Sequence, residues 1–166
     1  EFIDDNPEIG EPMNIDVMGM CGHSFAALTT QLMAGMMFPD EQDALAKIEE
    51  DRFKAGILYS FVPMGHLTDA PHEKGYGTIT LTMLYEHAGT NEKMLLILEG
   101  GDHMVFTGSR GKLETYPKRK EHEAIIKISS LAYWDAMLKN DGAAKDWLTG
   151  GGFATYLGDE AKLTIG

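Results

Sequence analysis

Residues 17–37 read VMGMCGHSFAALTTQLMAGMM, and the passage from an apolar run through a glycine into an Ala-, Leu- and Met-rich segment decides the fold class. Residues 15–20 are a strand candidate leading to Gly22, and residues 25–37 read as an apolar helix stopped by Phe38-Pro39-Asp40. Between them Gly22-His23-Ser24-Phe25-Ala26 stands where a strand turns sharply into a helix, the context of a G-x-S-x-G nucleophile elbow. Such a turn strains the serine backbone, projects its hydroxyl and sets it beside the positive end of a helix. Ser24 is therefore the candidate nucleophile, and the N–H of Phe25 the candidate oxyanion donor. Ala26, in place of the last glycine, adds one methyl group where strand and helix approach. The competing reading makes Ser24 a helix cap, a common role for serine before an apolar helix. Cys21 is a rival nucleophile, but its place near the strand end predicts a buried structural thiol.

Working outward, residues 40–52 read as a polar helix or loop, and residues 54–61 (KAGILYSF) as a second, buried strand. An irregular segment with Pro63, Gly65, Pro71, Gly75 and Gly77 follows. Residues 78–85 and 94–98 are further strands, and the stretch 95–106 (LLILEGGDHMVF) leaves the last through Gly100-Gly101 to deliver His103. A base belongs there, because sites in open α/β sheets form at the carboxyl ends of strands. Residues 123–138 carry Ile125, Ile128, Leu131, Ala132 and Met137 at close to helical spacing, which predicts an amphipathic helix ended by Asn140-Asp141-Gly142. Residues 143–148 add a short helical turn, and a tail beyond Gly150-Gly151-Gly152 supplies a final strand or coil.

Three blocks, GMCGHSFAALTTQLMAG (19–35), LEGGDHMVFTGSRG (98–111) and SSLAYWDAMLKNDGAAKDWL (129–148), carry a resemblance. Together they resemble the α/β-hydrolase group related to dienelactone hydrolases and platelet-activating-factor acetylhydrolases, over residues 17–157 and in the family's order. The resemblance implies a serine esterase or lipase-like hydrolase without cofactor, acting on a small-molecule ester, with Ser24 as nucleophile and His103 as base. True dienelactone hydrolases carry cysteine at the nucleophile position, so the chain looks closer to the serine branch. A carboxylate in the loop before the histidine strand completes the family's triad, and Glu92 in AGTNEK is the best match, with Asp69 and Asp102 as weaker alternatives. Asp102 directly precedes the histidine and is expected to satisfy its own turn.

The implied fold class is α/β: a partial α/β-hydrolase fold forming one domain over residues 1–166, a mostly parallel sheet flanked by helices and lacking the usual N-terminal strands. Two features sit badly with it. Parallel neighbours need a crossover of about a dozen residues or more, and only a few separate Gly89 from Met94. Upstream of the elbow no His-Gly or Gly-Gly loop supplies a second oxyanion N–H. Open sheet edges would invite a homo-oligomer or strand exchange that completes the sheet. The alternative function is a catalytically inactive hydrolase fragment serving as a binding or assembly module.

A formal net charge of -12 argues against nucleic-acid partners, since a phosphate backbone has to be met by a basic surface. Lys118, Arg119 and Lys120 are too short a run to change that and read as a solvated loop. His66, Asp69, His72 and Glu73 match no specific metal-ligand spacing, and His23 reads as packing or loop support. Met33, Met36 and Met37 read as core rather than acyl pocket. No apolar run is long enough to predict a transmembrane helix. Glu1-Phe2 opens without Met or a basic-then-apolar leader, so a signal peptide is expected to be absent or removed, and the compartment stays open.

Overall fold

A single helical turn, α1 (Pro7–Gly10), precedes β1 (Met18–His23), which passes through Ser24 directly into α2 (Phe25–Met33). This strand–turn–helix is the one expected around the elbow. It belongs to a computed structural model that describes residues 5–10, 12–39, 45–60, 79–85, 93–107 and 116–166. The helix is shorter than expected: β2 (Ala34–Pro39) follows it at once and pairs antiparallel with β3 (Leu45–Glu49) in a separate ribbon. Residues 36 and 37 thus lie on a strand, and 45–49 form neither polar helix nor loop. Gly35 weakens a helix there, and pairing with a second strand overrides the weak local preference.

β4 (Phe53–Tyr59), β5 (Ile79–Tyr85), β6 (Lys93–Leu98) and β7 (Ala161–Ile165) join β1 in a five-stranded sheet of order β1-β4-β5-β6-β7. The mixed α/β class is as expected; the mostly parallel sheet is not. Only β1 and β4 pair parallel, and every other neighbouring pair is antiparallel. For β5 and β6 the short link is the reason, because antiparallel neighbours can be joined by a connection too short for a parallel pair. Between β1 and β4, α2 and the β2/β3 ribbon provide the crossover that a parallel pair requires. β1, β4 and β6 consequently run in one sense, so their carboxyl ends share one edge of the sheet.

α3 (Arg119–Leu138), α4 (Gly142–Thr149) and α5 (Gly152–Leu157) complete the described elements, with a 3₁₀ turn at Val105–Thr107 after β6. α3 lies so close on β1 that a Cβ at Gly19 would come within 2.5 Å of the Trp134 ring. Its buried residues are His122, Ile125, Ser129, Ser130, Tyr133 and Ala136. Ile128 and Leu131, expected on the apolar face, are 41% and 60% exposed. Asn140 takes φ +55 and stops α3; Asp141 then caps α4 by accepting the Ala144 N–H at 3.1 Å. The basic stretch is no loop: Lys118 precedes α3 and pairs with Glu160 at 2.9 Å, and Arg119 pairs with Glu123 at 2.8 Å.

The core gathers Ile57, Leu96, Leu98, Val105, Tyr133, Leu148 and Phe153, all at most 2% exposed. Burying each large side chain contributes about 1.5–3 kcal/mol, which is why β4 and β6 anchor the fold. Cys21 lies on β1 as expected but is exposed, not buried. β1 is an edge strand with a sheet partner on one side only among the described residues. No described helix is long and apolar enough to cross a membrane.

His122 is fully buried, with Nδ1 hydrogen-bonded to the Tyr116 hydroxyl and Nε2 3.7 Å from Glu160. Burial holds its pKa below the ordinary 6.5, with Glu160 opposing. Unfolding frees the imidazole to take a proton, so its stabilising contribution is complete above pH 6.5 and is lost as pH falls through the folded value. The urea midpoint should therefore fall on acidification below that pH, and fall less in His122→Gln. Equal acid sensitivity of the two proteins would contradict this.

Candidate functional site

Ser24 takes φ +57, the left-handed region that a non-glycine residue enters at a cost of about 1–2 kcal/mol. A serine helix cap has extended backbone angles and accepts an N–H from the first helical turn through its Oγ. Ser24 does neither: its conformation is left-handed, and Ala27 N–H bonds to its main-chain oxygen at 3.0 Å. Its own N–H donates to the Tyr59 carbonyl at 3.0 Å, which ties the turn to the end of β4. This is the strained strand-to-helix geometry of an elbow, and the sharpness of the turn depends on Gly22. A Cβ there would lie 2.1 Å from the Ala26 carbonyl oxygen. Ala26, the departure from the glycine pattern, points its methyl group into an exposed position, so the substitution is accommodated.

The strain has a measurable consequence. Ser24→Gly should raise stability by about 0.5–1 kcal/mol, because glycine enters this region freely while gaining some unfolded-state entropy. Chemical denaturation checks it, and an unchanged or lowered midpoint would argue that the turn is unstrained.

Phe25 opens α2, where the first N–H groups of a helix have no intrahelical acceptor and carry its partial positive charge. Its side chain is 75% exposed, so its contribution at the turn is the backbone donor rather than packing. A second oxyanion donor is not identified among the described residues.

His103 leaves β6 through Gly100, at φ +76, and so emerges at the same sheet edge as Ser24. His23 fastens the two segments. Its Nε2 donates to the His103 carbonyl at 2.8 Å, a bond that fixes the proton on Nε2 because a carbonyl only accepts. The two rings stand 4.7 Å apart between centroids, with Phe106 behind His23 at 6.1 Å. The loop-supporting part expected of His23 is thus given a definite partner. Burial first, then neighbouring His23, hold the His103 pKa below 6.5, with Asp102 acting in the opposite sense. The ring is neutral at pH 7, as a proton acceptor must be.

The partner of His103 Nδ1 is one that sequence reading missed. Ser60, at the carboxyl end of β4, places its Oγ 2.5 Å from Nδ1, is only 6% exposed and itself takes φ +47. Asp102 accepts the Met104 N–H at 2.8 Å and so serves its own turn, as expected. Glu92, like His66, Asp69, His72 and Glu73, lies outside the described residues. The only sequence signal for Ser60 is that a strand candidate ran past it into the next turn.

No group of three or more His, Cys, Asp or Glu residues able to hold a metal occurs among the described residues. A cavity of about 230 Å³, lined by Met94, Tyr133, Met137, Leu148 and Ile165 with Lys145 and Thr149, includes the start of β6 and lies away from this site. Compared with known protein families, curated proteins and solved structures, the chain matches none of them.

Proposed function

We propose that the chain is a serine-dependent carboxylic-ester hydrolase built on part of an α/β-hydrolase-like fold. The observation that carries the reading is Ser24 in a left-handed turn between β1 and α2, with the imidazole of His103 at the same sheet edge. His103 Nε2 takes the Ser24 proton as Oγ attacks the ester carbonyl, and the Phe25 N–H at the head of α2 meets the developing oxyanion. The alcohol leaves with the proton from His103. Water, deprotonated by the same nitrogen, then attacks the acyl-serine to release the acid and restore Ser24.

A fluorophosphonate probe tests this directly. It should label the wild-type chain on Ser24 and fall to background in Ser24→Ala, with the labelling rate dropping on acidification. Because burial lowers the His103 pKa, half-loss should come below pH 6.5. Equal labelling of both proteins would overturn the proposal.

Exposed apolar residues favour one second reading, an assembly module whose sheet is continued by another chain. β1 is an edge strand, and Phe25 and Leu131, on the two helices that pack against it, are 75% and 60% exposed. Light scattering on the eluting protein separates the cases, since a strict monomer counts against a self-completed sheet.

A further inference from the structure

We infer that Ser60 is the positioning residue of His103: its hydroxyl oxygen accepts the Nδ1–H, which leaves Nε2 as the unprotonated nitrogen that can serve as the base. The contact itself stands on geometry; the direction of the bond, with Nδ1–H as donor, rests on the hydrolase reading, which needs Nε2 as the base. An imidazole nitrogen has one in-plane site, and at 2.5 Å the Ser60 Oγ fills that of Nδ1. A carboxylate can reach that nitrogen only by displacing Ser60.

Ser60 is held in place from several sides. It follows Tyr59, whose carbonyl accepts the Ser24 N–H, so the nucleophile and the residue behind the base share one peptide support. The Tyr59 hydroxyl is anchored to Ser130 of α3 at 2.8 Å, and its ring rests 5.4 Å from Phe106. A buried serine with positive φ is a conformation that the surroundings must impose, and here they aim its hydroxyl at a histidine.

The chemistry differs from that of an Asp-backed histidine. A hydroxyl orients the ring and accepts the Nδ1–H in the tautomer that the base needs, but it can also donate, so it selects that tautomer less strictly than a carboxylate, and it brings no negative charge to the imidazolium formed when Ser24 gives up its proton. Two titratable groups act on His103, His23 from β1 and Asp102 from its own turn; burial and His23 disfavour the charged ring more than Asp102 favours it. The result is a well-oriented base of low basicity, one that stays ready to accept a proton at mildly acidic pH.

Imidazole nitrogen NMR on the full chain tests this without requiring turnover. In the wild type, His103 should show a single neutral tautomer with the proton on Nδ1. Ser60→Ala should mix the tautomers, while Ser60→Asp should raise the His103 titration midpoint by about 1–3 pH units. In parallel, kcat for p-nitrophenyl acetate should fall about tenfold in Ser60→Ala at unchanged KM. Ser60→Asn, whose side chain tolerates positive φ and offers an amide oxygen to Nδ1–H, should restore both the tautomer and the rate, and it keeps the test open if the alanine variant melts early. Identical His103 tautomer and titration in wild type and folded Ser60→Ala would overturn the inference. If the tautomer shifts while wild type and Ser24→Ala are equally inactive, the hydrolase reading falls and the role of Ser60 stands.

Discussion

His103→Ala is expected to lower the turnover of p-nitrophenyl acetate by about 10³-fold or more, the range in which a general base acting with its nucleophile is lost. The substitution is unusually clean. His23 holds position 103 through the main-chain carbonyl, so removing the imidazole leaves that fastening and the Gly100 turn in place. What changes is Ser60, whose buried hydroxyl loses its partner at a cost of about 1–3 kcal/mol. A modestly lower melting temperature should therefore accompany near-complete loss of turnover. Wild-type-like kcat/KM in the folded variant would show that His103 is not the base, and the neighbouring imidazole of His23 would become the group to test.

Gly22→Ala should cost about 4 kcal/mol or more, placing it among the exceptional single substitutions, and should drop the melting temperature by about 10 °C. The added methyl carbon would lie 2.1 Å from the Ala26 oxygen, 2.3 Å from its carbonyl carbon and 2.7 Å from the Ala27 nitrogen. All of these are backbone atoms of the first turn of α2, so relief requires moving the helix and, with it, Ser24. Gly19 is the useful contrast. A methyl there meets the Trp134 ring at 2.5 Å and the end of Leu138 at 3.0 Å, side chains that can shift, so Gly19→Ala should lose distinctly less. Thermal melts of the pair decide the matter, and equal melting temperatures would mean that the β1–α2 approach is looser than described.

The electrostatics of the region have a single theme, histidines kept neutral by burial. His103 is neutral with a hydroxyl rather than a carboxylate at Nδ1, and His122 is neutral within the Tyr116–Glu160 cluster. Both are depressed below 6.5, with opposite consequences: His103 stays available for proton acceptance at mildly acidic pH, whereas His122 makes acidification costly for the fold. Substituting one at a time separates an activity profile from a stability profile.

The features legible from residue order alone are local. A glycine two residues before Ser24 and an apolar run on either side specify strand, turn and helix, and Gly100 specifies the turn that frees His103. Helical spacing identifies α3, and Asn140-Asp141 marks its end and the start of α4. These outcomes depend on residues within a few positions of one another, where periodicity and turn chemistry act directly. The tertiary structure alone decided that the sheet is mostly antiparallel and that residues 34–39 leave the helix for a ribbon. It also decided that Cys21 is exposed on an edge strand, and that Ser60 meets Nδ1 of a histidine far along the chain. Strand partners and side-chain encounters are non-local, because any apolar run of β-branched and aromatic residues can pair with several others in either direction. For that reason the elbow around Ser24 was legible at once, while the residue that holds His103 became visible only when β4 and β6 were laid side by side.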